Sequence, residues 1–286
     1  MRHPYQRWIQ QVLKTQTRGA ALPLGGFAPL RKPKPKKRTP KVFIFSPHPD
    51  DECIIGSLAL RLLREQRMPV TNVAVTLGSR KDRQAARWNE LQQACSFLGF
   101  ELLSTGPCGL EGVNLKTRTA QPDAWSASVA VIASLLREHR PGILLVPHAA
   151  DWNSSHIGTH HLVMDALRQI AGYQPAVVET EFWGAMAQPN LMVEINARDL
   201  GDLVAALSFH VGEVQRNPYH LRLPAWMQDN VRRGGEVVGG QGGAAPAFAF
   251  ATLYRLSRWT GTELQPAYEG GRVVAGSDDL SALFGA

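Results

Sequence analysis

The sequence predicts an α/β fold: a Rossmann-like, mostly parallel sheet flanked by helices, with additional C-terminal strands and loops. Two observations predict it. From Val42 onward, short apolar runs alternate with longer amphipathic stretches, the signature of successive βα units. Segments rich in His and Asp follow directly on two of the short runs, as expected where loops converge over the carboxyl edge of a parallel sheet. The composition, 44% hydrophobic and 19% charged, is that of an ordinary globular domain rather than a disordered or membrane protein.

The strand candidates are Val42 to Ser46, Val70 to Leu77, Glu101 to Ser104, Ile143 to Pro147 and Val177 to Phe182. Helical patterns lie between or after them at Cys53 to Gln66, Asp82 to Leu98, Ala124 to His139 and His156 to Ile170. This order implies a doubly wound sheet with right-handed crossovers. Farther on, Asp202 to Gln215 reads as a helix, the six glycines of Gly234 to Gly243 as a flexible loop, and Phe248 to Tyr254 as a late strand. The glycine-rich stretch does not follow the first strand and so does not match a dinucleotide fingerprint.

Of the 31 Lys/Arg, ten sit in residues 1–40, which hold no acid; the remaining 21 face 24 Asp/Glu. The net charge of +7 therefore belongs to the leader, not to the body. The run Arg31 to Pro40 (RKPKPKKRTP) cannot build a core and reads as part of a flexible, solvated leader, with contact to an anionic surface as the functional alternative. Residues 41–286 are expected to form one domain. The apolar stretch Gly19 to Leu30 is interrupted by prolines and glycines, against the pattern of a cleaved secretory signal. Three cysteines, Cys53, Cys95 and Cys108, offer no CxxC spacing, which argues against a disulfide framework or a cysteine zinc site and fits a reducing cytoplasm.

After the first strand the chain reads Pro47-His48-Pro49-Asp50-Asp51-Glu52, and three adjacent carboxylates repel one another unless a cation sits among them. Zinc accepts imidazole and carboxylate ligands and, in catalytic sites, keeps one position open. His48 and Asp51 can converge on one ion, leaving Asp50 as a base for a water whose pKa the metal lowers. The competing reading is that the acids merely cap a helix, which would account for one of them but not for His48. The second segment runs from His148 through Asp151 and Asn153 to His156, His160 and His161. Asn153, Ser154 or Ser155 can cap a helix that carries His156 and His160 on one face, so either histidine is available as a third ligand.

A PHPDDE segment ending the first strand, followed by D-x-N-x-x-H-x-x-x-H after a later one, resembles the PIG-L or LmbE-like de-N-acetylases. The likeness spans roughly Val42 to Ile170. It implies a zinc hydrolase that removes acetyl from an N-acetylglucosamine-type or related amino-sugar conjugate, with His48, Asp51 and His156 as ligands and Asp50 as general base. The family's second motif is usually H-x-x-H, and here its first position is Asn153. An amide can donate to an oxyanion but cannot deliver a proton, so the acid role passes to protonated Asp50 or to His160 or His148. Arg80 falls where the family carries substrate-facing residues and suits a hydroxyl or phosphate; Arg87 and Glu90 read as a surface or packing pair. Two further function classes remain on these residues: a catalytically weak or inactive carbohydrate- or glycolipid-binding protein on the same scaffold, and a metal-dependent phosphoesterase.

Overall fold

The computed structural model describes residues 3–284. Helix α1 (Pro4–Ala20) precedes an extended stretch whose Leu24 and Leu30 pack on the body and whose Leu30 amide donates to the Phe97 carbonyl. The basic side chains from Arg31 to Arg38 are exposed. The body then runs β1 (Val42–Ser46), α2 (Asp51–Ile54), α3 (Ser57–Arg64), β2 (Val70–Ala74), α4 (Gln84–Leu98), β3 (Glu101–Ser104), α5 (Leu115–Ala120), α6 (Pro122–His139), β4 (Ile143–Pro147), α7 (Ser154–Arg168) and β5 (Ala176–Thr180). After these come β6 (Leu191–Glu194), α8 (Ala197–Leu207), α9 (Val211–Arg216), α10 (Leu223–Val237), β7 (Ala251–Trp259), β8 (Leu264–Pro266) and β9 (Arg272–Val274).

The sheet order is β3-β2-β1-β4-β5-β7-β6-β9, with β8 paired to β7. Strands β3 to β5 are parallel, and β7 runs antiparallel to both β5 and β6. Strand β1 shows why both faces are covered. Val42 and Ile44 join the cluster that packs under α3, α4 and α8, while Phe43 and Phe45 join the cluster under α6 and α7. A strand buried on both faces needs the continuous apolar run VFIF rather than alternation. The order of connection reverses between β1 and β4, which opens a crevice at their carboxyl ends.

Strands β1, β3 and β4 have the expected bounds, and β2 ends earlier, at Ala74. The helix expected over Cys53 to Gln66 starts at Asp51 and is interrupted at Ile55 and Gly56. The one expected over Asp202 to Gln215 is two helices, broken so that His210 turns inward to Glu52, with Nε2 2.7 Å from Oε1. The Gly234 to Gly243 loop is shorter than expected because α10 continues to Val237. A Cβ on Gly234 would sit 2.7 Å from Met192 Sδ and 2.8 Å from Leu253 Cδ2, so glycine is what lets the helix lie against β6 and β7. The late strand begins at Ala251 instead of Phe248 and extends to Trp259. Among the described residues no helix is long and apolar enough to cross a membrane.

Candidate active site

The chain leaves β1 through Pro47 and His48 and turns into α2 at Asp50, whose φ of +119° is a conformation that a non-glycine residue rarely adopts. The turn is held by buried groups. Glu52 Oε2 accepts the Asp50 amide at 2.9 Å, and Glu52 Oε1 meets His210 and, at 3.1 Å, the Cys53 thiol. Burial and the Glu52 charge push the Cys53 thiol well up, which makes it an inert packing group rather than a nucleophile. Asp50, at the N-cap position, makes no side-chain cap bond to α2, so capping does not account for its carboxylate.

Asp51 points into the crevice. Its Oδ2 accepts the His48 amide at 2.9 Å and lies 3.5 Å from His48 Nδ1 and 3.4 Å from His156 Nε2. His156 arrives from the first turn of α7, which Asn153 caps by accepting the Ser155 amide at 2.9 Å. Behind it, Asp151 Oδ2 sits 3.5 Å from His156 Nδ1 and orients the ring. Burial alone would raise the Asp51 pKa, but His156 and His48 pull it well below the usual carboxylate range. Burial alone would lower His156, but Asp51 and Asp151 outweigh it and push the imidazole up to about 10.

This group fits a divalent metal. One donor atom from each of His48, Asp51 and His156 lies within 4.8 Å of the others, and buried His156 Nε2 has no hydrogen-bond partner. Separations of 3.4 and 3.5 Å are close to the edge of a tetrahedron with metal–ligand bonds of about 2.1 Å. The negative field that favours a proton on His156 favours a cation equally.

Asp50 faces a different set of residues. The Tyr219 hydroxyl donates to Asp50 Oδ2 at 2.6 Å, and Arg87 lies 3.8 Å from the same oxygen while donating to the Pro49 carbonyl at 2.9 Å. Burial and the charge of Asp51 raise the Asp50 pKa to about 6, with Arg87, His210 and the Tyr219 bond opposing. Glu213 ties the surround together by pairing with Arg83 at 2.8 Å and with Arg216. A cavity of about 180 Å³ lies over these groups, lined by His48, Asp50, Asn153, Trp183 and Arg216. A larger one of about 440 Å³ adjoins it through His48 and is bordered by Ser79, Lys81, Gln84, Asn114 and Ser155.

The structure thus brings His48, Asp51 and His156 to one point, with Asp50 and Asn153 at the cavity beside it. His160 stands apart: its Nδ1 is 2.9 Å from the Pro147 carbonyl oxygen and 3.6 Å from Glu179, and burial lowers its pKa to about 4. His148 is also turned away, with Nε2 2.9 Å from the Gly184 carbonyl oxygen. Arg80 is exposed and paired with Asp82 at 2.6 Å, while its neighbours Ser79 and Lys81 border the larger cavity. Arg87, read from sequence with Glu90 as a surface or packing pair, packs half-buried with its guanidinium 3.8 Å from Asp50. Tyr219, Glu213 and Arg216 lie in a stretch with no recognisable spacing, where the density of polar side chains is the sequence signal.

A group of His and Asp side chains at the switch point of a doubly wound sheet defines a Rossmann-like α/β protein with a candidate metal centre. More narrowly, residues 43–167 match the model of the PIG-L family, described as GlcNAc-PI de-N-acetylase. The match runs from β1 through His156 and nearly to the end of α7. Among solved structures, the chain resembles the N,N'-diacetylchitobiose deacetylase of Pyrococcus horikoshii at 13% identity and a TM-score of 0.55, covering 91% of this chain and 94% of that one. It resembles the 4-carboxy-2-hydroxymuconate hydratase of Pseudomonas putida at 17% identity and 0.55, covering 76% and 96%. It also resembles a zinc-inhibited form of teicoplanin deacetylase at 15% and 0.51, covering 77% and 99%. At such identities the likeness establishes the fold. No curated protein matches the sequence.

Proposed function

We propose that the protein is a metal-dependent hydrolase that removes an N-acetyl group from an amino-sugar conjugate, with zinc held by His48, Asp51 and His156. The observation that carries this reading is a strained, buried carboxylate, Asp50, beside a three-donor group inside the stretch that matches the PIG-L model. When bound, the metal would polarise the amide carbonyl and acidify water.

The protein groups divide the remaining work. Asp50, with a pKa near neutrality, takes the proton from the attacking water on a carboxylate oxygen and returns it to the amine nitrogen as the C–N bond breaks. Acetate and a free amine leave. Tyr219 and Arg87 fix the carboxylate's orientation, since both address Oδ2. Asn153, lining the same cavity, is suited to donate a hydrogen bond to the oxyanion. The larger cavity, with hydroxyl, amide and ammonium groups on its walls, suits a hydroxylated ring. Arg80 would meet such a ligand only by leaving Asp82, and His160 would contribute by positioning the Pro147 carbonyl behind the second loop. The free cysteines suit a reducing cytoplasm, which is the compartment we infer.

The test is acetate release from a panel of N-acetylglucosamine conjugates, with zinc, manganese and cobalt each added in graded amounts to metal-stripped protein. Graded addition matters because a neighbouring deacetylase is known in a zinc-inhibited form. Asp50→Asn is expected to retain metal and lose about 10³-fold in kcat. Metal binding without turnover on any conjugate would instead support a binding protein, and hydration of an unsaturated acid would support the chemistry named for the hydratase neighbour.

A further inference from the structure

Among the described residues, helix α1 carries an apolar stripe that the body leaves exposed. Tyr5, Trp8, Ile9, Val12 and Leu13 recur at i, i+3, i+4, i+7 and i+8, which gathers them on one side of the helix, while Arg7, Lys14 and Arg18 fall on the opposite side. An amphipathic helix of a globular domain ordinarily buries such a stripe against the core. Here no residue of α1 is buried, and the five apolar side chains are 40 to 71% exposed. The helix meets the body near its last turn, where a Cβ on Gly19 would sit 3.0 Å from Leu221 Cδ2.

Charge identifies what covers the stripe. Residues 1–40 carry ten Lys/Arg and no acid, whereas the rest of the chain has slightly more acid than base. The basicity is therefore concentrated in the part of the chain that presents the apolar stripe. A partner must combine negative charge with an apolar layer able to take Trp8, Ile9 and Leu13. Nucleic acid supplies the charge without such a layer, and a second copy of α1 would bring a like-charged segment to the contact. An anionic lipid surface supplies both, and Tyr5 and Trp8 are of the type that settles at its headgroup level.

We propose that α1 docks this protein peripherally on an anionic phospholipid bilayer. The helix lies in the plane of the interface with its apolar stripe in the acyl boundary, and Arg7, Lys14 and Arg18 remain among the headgroups, supported by the basic run from Arg31. The docked surface is continuous with the candidate active site. Leu221, which touches α1, belongs to the 3-10 turn Tyr219–Leu221, and Tyr219 holds Asp50.

Co-sedimentation of the full chain with phosphatidylcholine vesicles, with and without phosphatidylglycerol, tests this without any need for turnover. Binding is expected to the anionic vesicles at least about tenfold more tightly than to the neutral ones, weakening as salt is raised. Trp8→Glu/Leu13→Glu should cut vesicle binding at least about tenfold and leave the Tm unchanged, because both side chains are exposed. Trp8→Ala/Leu13→Ala, which keeps helix propensity, should weaken binding in the same direction. The proposal is overturned if the protein stays in the supernatant with phosphatidylglycerol vesicles, or if the variants bind as tightly as the native chain. It is equally overturned if the variants turn a dimer into a monomer without any vesicle binding, or if duplex DNA is retained and vesicles are not.

Discussion

The two halves of the candidate site are built in different ways. The half proposed to hold the metal, His48, Asp51 and His156, comes from two compact segments at the ends of β1 and β4, neighbours in the sheet that flank its switch point. The half around Asp50 comes from four separate places: Arg87 on α4, Trp183 after β5, Glu213 and Arg216 on α9, and Tyr219 in the turn before α10. Backbone topology alone brings the first set together. The second meets only through packing of the late helices against the sheet, across as many as 169 residues of chain between Asp50 and Tyr219. The difference teaches that a compact donor group can be fixed by strand ends, while the groups that set the environment of Asp50, the proposed proton acceptor, depend on the whole fold.

The sharpest way to break this division is to remove a ligand. Asp51→Ala is expected to abolish metal binding and reduce turnover to background, since it deletes one of the three proposed ligands and leaves His48 and His156 without their shared partner. Metal content by elemental analysis, alongside acetate release, reads both. Full metal occupancy in this variant would mean that Asp51 belongs with the Asp50 half and that the ligand set is wrong. A smaller effect is expected from the other half. Tyr219→Phe removes one hydrogen bond to Asp50 Oδ2 without touching the ligand group, so metal should be retained while kcat falls about tenfold. If metal were lost instead, the two halves would not be separable.

Legibility in the sequence follows the same line. Strands β1, β3 and β4 could be bounded from the chain because their short apolar runs end in polar residues, proline or glycine, and the two His/Asp segments fall at strand ends for the same reason. Strand β6 and helix α5 are four and six residues long and carry too few periodic positions to stand out. The end of α10 was hidden because glycine signals a loop locally, whereas Gly234 is required by the closeness of Met192 and Leu253. In helix α1 the concentrated positive charge of residues 1–40 masks the apolar recurrence of Tyr5, Trp8, Ile9, Val12 and Leu13. The partners of Arg87, Pro49 and Asp50, lie 38 and 37 positions back in the chain, beyond the reach of any local pattern.

Glu179 belongs to neither half, and it tests whether the region behind the second loop is structural. It sits in β5, largely buried, beside His160 and 3.9 Å from Arg255, and burial raises its pKa from 4.5 to about 7, with Arg255 only partly opposing. A carboxyl with a raised folded pKa keeps a proton that the unfolded chain has already released. Its favourable contribution is therefore complete below about pH 4.5 and is lost as pH rises through about 7. Glu179→Gln fixes the neutral form. Denaturant melts should find it close to the native chain at about pH 5 and more stable by about 1–2 kcal/mol at about pH 8. Parallel stability profiles for the two proteins would show that Glu179 is ionised in the fold and that its environment is polar enough to belong to the site after all. A pH-dependent gain with unchanged metal content would instead assign both Glu179 and the adjoining His160 to support of the loop that presents His156.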